Sequence, residues 1–237
     1  MTGIERRRRR HERIAERERR WKEKRVHIQR LLMRRVEIES LYQECTNLDL
    51  EKSRSFYDST YSASLDYSLP PHESQYFECW QLASRWLSDS NKFADFGCGV
   101  GQFVEYALSE GKSFVYGVDF SEVAIQFARE RNPSVVDHFY VRDLRDPHTY
   151  TILDFDVAIL LEVLEHVRDD LAVLQHIPVG RTVILSVPSF GNSAHVRYFP
   201  NLDAANDRYS SVLNISQSIS VPISSNSTLW LLKGERI

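Results

Sequence analysis

The stretch Gly97-Cys98-Gly99-Val100-Gly101 sets three glycines at alternate positions. Residues without a β-carbon let the chain turn sharply after a strand and let a ligand touch the main chain, so the loop suits a nucleotide-like ligand. Three glycines can also simply make a tight turn. The spacing is neither the GxGxxG of dinucleotide folds nor a phosphate loop ending in GK[ST], and no Tyr-x-x-x-Lys pair accompanies it, which argues against a dinucleotide reductase. Asp119 lies 20 residues beyond Gly99. At the end of a strand, such a carboxylate can accept hydrogen bonds from both hydroxyls of a ribose. Asp143, closing the next apolar run, is placed to accept from an exocyclic adenine amine. Acidic residues that end successive parallel strands point into one crevice.

The elements that must position these residues alternate along the chain. Strands are expected at Lys92 to Phe96, Phe114 to Val118, Phe139 to Val141, Val157 to Leu161 and Val183 to Val187, with helices at Gln102 to Leu108, Val123 to Arg131 and Asp169 to His176. That order means an α/β fold with a mostly parallel sheet and helices on both faces. Phe77, Trp80, Ala83 and Leu87 fall on one face of a packing helix between Glu73 and Leu87. Ser216 to Val221 and Leu229 to Lys233, joined by a Ser/Asn-rich turn, read as a terminal antiparallel β-hairpin.

The run Ala94-Asp95-Phe96-Gly97-Cys98-Gly99-Val100-Gly101, followed by Gly117-Val118-Asp119-Phe120-Ser121, Arg142-Asp143-Leu144, and Asp156-Val157 through Leu161-Glu162-Val163-Leu164-Glu165-His166-Val167, resembles the class I S-adenosylmethionine-dependent methyltransferases. The resemblance covers roughly Ser74 to Lys233. It implies a Rossmann-like seven-stranded sheet whose last strand is antiparallel, with S-adenosyl-L-methionine as cofactor. Asp95, Gly97, Gly99 and Gly101 would cradle the methionine moiety. Asp119 would hold the ribose, Phe120 would pack on the adenine, and Asp143 with the Leu144 amide would read the adenine edge. Leu161 and Glu162 would lie at the reactive end. Between Asn201 and Ile215, where the family has its last helix, the sequence is polar and weakly periodic and predicts none.

A sulfonium is already a good leaving group, so the protein has mainly to align the nucleophile and, for a hydroxyl, take its proton. Glu162, Glu165 and His166 fall at the end of the fourth strand. His195, in the loop after the fifth, falls on the same crevice edge and could serve as general base, with Arg197 or Tyr198 gripping the substrate. The expected catalytic set is His166, His195 and Glu162, without a metal, acting on a small-molecule or glycan-like hydroxyl. The Glu-x-x-Glu-His cluster gives an alternative, because two carboxylates and an imidazole can hold a divalent cation. Glu162, Glu165 and His166 are similar to the metal-binding segment of small-RNA 3′-end 2′-O-methyltransferases and of ubiquinone-pathway O-methyltransferases. A metal-assisted RNA 2′-O-methyltransferase is therefore the alternative enzyme. A non-catalytic, partner-binding protein of the same fold is the alternative outside enzymes, and it would be betrayed by lost cofactor residues.

The 237 residues, with 42% hydrophobic and 27% charged, suffice for one catalytic domain with an appendage and exclude a disordered or collagenous chain. The net charge of −3 hides an asymmetry. Residues 1 to 39 hold 15 Lys and Arg against 7 Asp and Glu, a net +8, leaving −11 for the rest. This segment is rich in helix formers, and Ile14, Trp21 and Ile28 recur every seven residues, so a long basic helix with a weak coiled-coil seam is expected. Residues 4 to 44 could pair with themselves or with a partner helix, and the Arg6 to Arg10 run could meet nucleic acid or an anionic membrane surface. The expected organisation is a basic helical extension at 1–48, a linker and active-site cap at 49–73, and the methyltransferase domain at 74–237. No apolar run reaches the roughly 20 residues of a membrane span and the N-terminus lacks a secretory signal, so the expected location is cytoplasmic. Cys45, Cys79 and Cys98, an odd number widely spaced, read as free thiols.

Overall fold

Strand and helix alternation is what the computed structural model shows. It describes Glu16, Met33, Arg34 and residues 45–88, 91–151 and 154–237. Met1–Glu44 and Cys45–Ile237 form two separate units. Glu16, Met33 and Arg34 are helical, but the heptad seam and the arginine run lie outside the described residues. The second unit runs α1 (Arg54–Ala63), α2 (Phe77–Trp86), β1 (Lys92–Phe96), α3 (Gln102–Ser109), β2 (Ser113–Asp119), α4 (Glu122–Arg131), β3 (Phe139–Val141), α5 (His148–Thr151), β4 (Val157–Leu161), α6 (Asp170–His176), β5 (Thr182–Pro188), α7 (Leu202–Tyr209), β6 (Leu213–Ser224) and β7 (Ser227–Arg236). Every strand expected from the sequence is present, within a few residues at the ends.

The seven strands form one sheet in the order β3-β2-β1-β4-β5-β7-β6. β1 to β5 pair in parallel, and β7 is antiparallel to both β5 and β6. The chain builds outward from β1 through β2 to β3, then returns to start β4 on the other side of β1. Ligands bind such sheets outside the carboxyl ends of the strands, at the point where the order reverses. In register, Asp95 of β1 lies beside Ile159 of β4, so the glycine loop after β1 faces the Glu162 to His166 segment after β4.

The strands hold this geometry because both faces are covered. Val157 to Leu160 of β4 are all buried, as a central parallel strand requires. Phe93 packs edge-on against Phe103 (ring centroids 5.8 Å apart) and tilts onto Phe114 (5.5 Å). Phe96 stacks on Tyr150 and meets Phe155 edge-on at 5.2 Å. Burying each such ring contributes roughly 1.5–3 kcal/mol. All three cysteines are buried free thiols.

One expectation is corrected. A helix does occupy Leu202–Tyr209. Asn201 caps it, its side chain accepting from the Ala204 N–H at 2.9 Å, and Ala204, Ala205 and Tyr209 are the buried residues. Three buried positions in eight residues, two of them alanines, are too few to show as periodicity, but the Asn N-cap was a readable signal.

Candidate active site

The glycine loop hangs on Asp119. Its Oδ2 accepts from the Gly99 N–H at 3.0 Å and its Oδ1 from the Ser121 N–H at 2.8 Å, so one carboxylate fixes both the loop after β1 and the start of α4. Burial pushes its pKa up to about 6, against the pull of those two N–H groups. Gly97 and Gly101 have φ of 84° and 75°, values that side chains with a β-carbon rarely adopt. A β-carbon at Gly97 would come within 2.5 Å of Val163, and one at Gly101 within 2.6 Å of Asn132. Gly101 is therefore required by packing of α3 on α4 and not by a ligand. Gly99 faces Tyr61, whose hydroxyl stands 3.3 Å from the place a β-carbon would take.

A cleft opens beyond these residues. Of the residues singled out in the sequence, Gly97, Asp119, Phe120, Asp143, Leu144, Glu162 and His166 line it. Asp95, Gly99, Gly101, Leu161 and His195 are not among its lining residues. Asp95 is buried beneath the loop, where burial first and Asp119 second push its carboxyl up to about 8. Asp143 meets a partner the sequence did not suggest. Arg145 donates to it from Nε at 3.1 Å, from Nη2 at 3.0 Å and from its backbone N–H at 2.9 Å. Despite partial burial, these contacts hold the Asp143 carboxyl below its ordinary value.

The methyl-transfer end is built by Leu161-Glu162-Val163-Leu164-Glu165-His166. Glu162 adopts φ 56°, a left-handed conformation costing about 1–2 kcal/mol for a residue with a side chain. Ser186 of β5 holds it there: the Glu162 N–H donates to Ser186 Oγ at 2.9 Å, and that hydroxyl donates to Glu162 Oε1 at 2.8 Å. The turn carries the chain into a 3₁₀ segment, Leu164–His166, that brings Glu165 inward. Glu165 is wholly buried, and among the described residues no N–H group hydrogen-bonds to either of its oxygens. The group able to meet it is the Glu162 carboxyl, provided one of the two keeps a proton. Burial raises both, Glu162 to about 7 and Glu165 well above its ordinary value.

His166 Nδ1 contacts the Ala194 carbonyl at 3.0 Å. A carbonyl only accepts, so Nδ1 carries the hydrogen and Nε2 presents a lone pair, 3.7 Å from Glu165 Oε1. Burial, with His195 second, pulls the His166 pKa down to about 4, so the ring is neutral at physiological pH.

His195 is buried. Its Nδ1 donates to the Phe190 carbonyl at 3.0 Å, and its Nε2 accepts from Asn192 Nδ2 at 2.7 Å. Asn192 is oriented by its Oδ1, which accepts from the Ala194 and His195 N–H groups. Both imidazole nitrogens are thus engaged. Arg197 is no substrate grip: buried, it donates to the carbonyls of Leu164, Val167 and Arg168 and pairs with Asp170 at 3.3 Å, fastening the segment after His166. Glu165, His166 and His195 nonetheless bring their ligand atoms within 4.8 Å of one another. Buried carboxylate oxygens without donors, beside an imidazole lone pair, fit a divalent cation, with His195 trading its Asn192 contact for the metal.

The cleft's outer wall is a strap, residues 51–69, whose individual residues sequence reasoning missed. Tyr57 and Tyr61 of α1 line the cleft with Glu51 and Lys52. Glu51 accepts from Arg145 Nη1 at 2.8 Å and from the Arg168 N–H at 3.1 Å. Ser121 Oγ donates to Asp58 at 2.5 Å. Gln102 Nε2 and Arg131 hold the far end through the carbonyls of Asp66, Tyr67 and Leu69. The i,i+4 pair Tyr57 and Tyr61 was the available signal.

Residues 94–178 match the family model described as Methyltransferase domain. A ubiquinone biosynthesis O-methyltransferase of Haemophilus ducreyi is 38% identical over 92 residues, 35% of this chain and 38% of that protein. The chain thus matches little more than a third of that relative's length. Among solved structures, the 1,6-didemethyltoxoflavin-N1-methyltransferase of Burkholderia thailandensis, with bound 1,6-didemethyltoxoflavin and S-adenosylhomocysteine, has a TM-score of 0.59 at 18% identity, covering 77% of this chain and 86% of that one. The magnesium protoporphyrin IX methyltransferase of Synechocystis PCC 6803, with bound S-adenosylmethionine, has a TM-score of 0.57 at 17% identity, covering 78% and 97%. Residues 94–178 thus match a methyltransferase domain, and the sheet with its helices has the fold of these two solved methyltransferases. Among the described residues, no helix is long and apolar enough to cross a membrane.

Proposed function

We propose that this protein is an S-adenosylmethionine-dependent methyltransferase acting on a hydroxyl of a small-molecule or glycan-like acceptor. The observation that carries the reading is the convergence of Asp119, Asp143, Glu162 and His166 on one cleft at the switch point of the sheet. Asp119 binds the ribose hydroxyls, Phe120 packs on the adenine, and Asp143, oriented by Arg145, takes the adenine amine. When bound, S-adenosylmethionine supplies a methyl on a sulfonium, whose S–C bond breaks with its electron pair left on sulfur as the acceptor oxygen forms the new O–C bond. The hydroxyl proton passes to His166 Nε2, which is neutral and unprotonated because burial disfavours the imidazolium. The Ala194 contact keeps that nitrogen turned inward. The relative from Haemophilus ducreyi supports an oxygen acceptor.

A second reading is favoured by one observation, the two donor-free oxygens of buried Glu165. In it Glu165, His166 and His195 would hold a divalent cation, with Glu162 beside them, and the chemistry it would supply there is Lewis acidity toward the acceptor hydroxyl. Transfer of a labelled methyl group from S-adenosylmethionine to a panel of hydroxyl compounds and RNA ends, before and after exhaustive chelation, tests both. Transfer that survives chelation supports His166 as base. Transfer abolished by chelation and restored by Mg²⁺ supports the cation. A protein that binds no cofactor is the non-catalytic alternative.

A further inference from the structure

Tyr57 carries a buried hydroxyl with no hydrogen-bond partner. Its ring meets His166 edge-on, with centroids 5.7 Å apart, and Phe120 at 5.3 Å. Across this ring contact stands His166, whose Nδ1 is committed to Ala194 and whose Nε2 lone pair meets no donor among the described residues. A buried donor without an acceptor costs about 1–3 kcal/mol, as does the converse. Tyr57 and His166 line the same cleft, with Glu165 behind, 3.7 Å from Nε2. The molecule that relieves both at once is itself donor and acceptor, as a hydroxyl is. A bare cation would satisfy Glu165 and His166 but leave the phenol hydrogen unpaired.

We infer that Tyr57, supplied by the strap, orients the acceptor: its O–H donates to the acceptor oxygen while that oxygen's own hydrogen points to His166 Nε2 or Glu165. One lone pair then stays directed at the methyl group. Burial and the neighbouring Glu165 raise the phenol's pKa, which keeps it a donor. The strap that walls the cleft thus also completes the acceptor site. This inference rests on the methyl-transfer reading.

The test uses the full chain saturated with S-adenosylhomocysteine, with catechol as the hydroxyl probe, and compares wild type with Tyr57→Phe by calorimetry. Wild type should bind catechol, and Tyr57→Phe should bind it at least fivefold more weakly. S-adenosylhomocysteine affinity should agree within twofold and the melting temperature within a degree or two. Catechol binding that is equal in both proteins, or absent from wild type that binds S-adenosylhomocysteine, overturns the role of Tyr57. A lower melting temperature or lost S-adenosylhomocysteine binding in Tyr57→Phe also overturns it, because the hydroxyl is then structural. If wild type fails to bind S-adenosylhomocysteine at all, the methyl-transfer reading fails first.

Discussion

Nε2 of His166 stands 3.7 Å from Oε1 of Glu165, at the end of a ring whose other nitrogen is committed to the Ala194 carbonyl. Nε2 thus keeps a lone pair free to take a proton from an acceptor hydroxyl or to bind a metal ion. His166→Ala should reduce turnover by about 10²-fold or more, the usual contribution of a positioned proton acceptor. S-adenosylhomocysteine affinity should change less than twofold. Steady-state kinetics with calorimetry separate the effects, and a variant that retains turnover would remove His166 from the chemistry.

Asp119 supports the glycine loop, and in the proposed reading it also holds the ribose, so its charge state is expected to set cofactor affinity. Asp119→Asn should weaken S-adenosylhomocysteine binding by about tenfold or more, the loss of at least one charge-assisted hydrogen bond. In the wild-type protein, protonation near pH 6 withdraws the carboxylate that accepts from the ribose. Affinity should therefore be level from pH 7 to 8 and decline below about 6. Titrations across that range check it; constant affinity down to pH 5 would contradict a ribose-binding carboxylate.

Glu51 latches the strap to two loops through Arg145 and Arg168. Each partly exposed contact of this kind is worth about 0.2–1 kcal/mol. Glu51→Gln should speed S-adenosylhomocysteine dissociation by roughly two- to fivefold, and added salt should narrow the gap between the two proteins. Stopped-flow fluorescence measures both, and a salt-independent, unchanged off-rate would show that the latch does not control release.

The Glu162 and Glu165 pair makes stability depend on pH with a definite sign. Burial raises both carboxyls, so between the unfolded value near 4.3 and about 7 the folded state binds more protons than the unfolded one. Stability contributed by this pair is present at low pH and is lost as pH rises through that window. With chelator present, Glu165→Gln should melt above wild type at pH 8, with the difference shrinking toward pH 5. Parallel melting curves at all pH values would show that the buried pair does not titrate in this window.

Much of this was legible in the residues. Short apolar runs ending in glycine or aspartate fix the parallel strands, because a doubly covered strand must be apolar throughout, and the strand ends Asp119, Asp143 and Glu162 fall on one cleft as expected. The helix Leu202–Tyr209 was not legible, since its packing rests on two alanines and one tyrosine. The pairing of Asp143 with Arg145 and the occupied nitrogens of His195 were also hidden, because local loop hydrogen bonds leave no periodic trace. The cap at 49–73 was expected, but the individual side chains of its strap escaped notice for a different reason. Tyr57 and Tyr61 matter through contacts with Phe120, His166 and Gly99, residues 38 to 109 positions away in sequence, and spacing alone cannot report such pairings.

The central claim is that this cleft holds an adenosyl cofactor at Asp119, and isothermal calorimetry with S-adenosylmethionine, S-adenosylhomocysteine and NAD tests it most directly. The account predicts one site per chain with micromolar affinity for both sulfur compounds and no heat with NAD. Binding of NAD with none of either sulfur compound would contradict it.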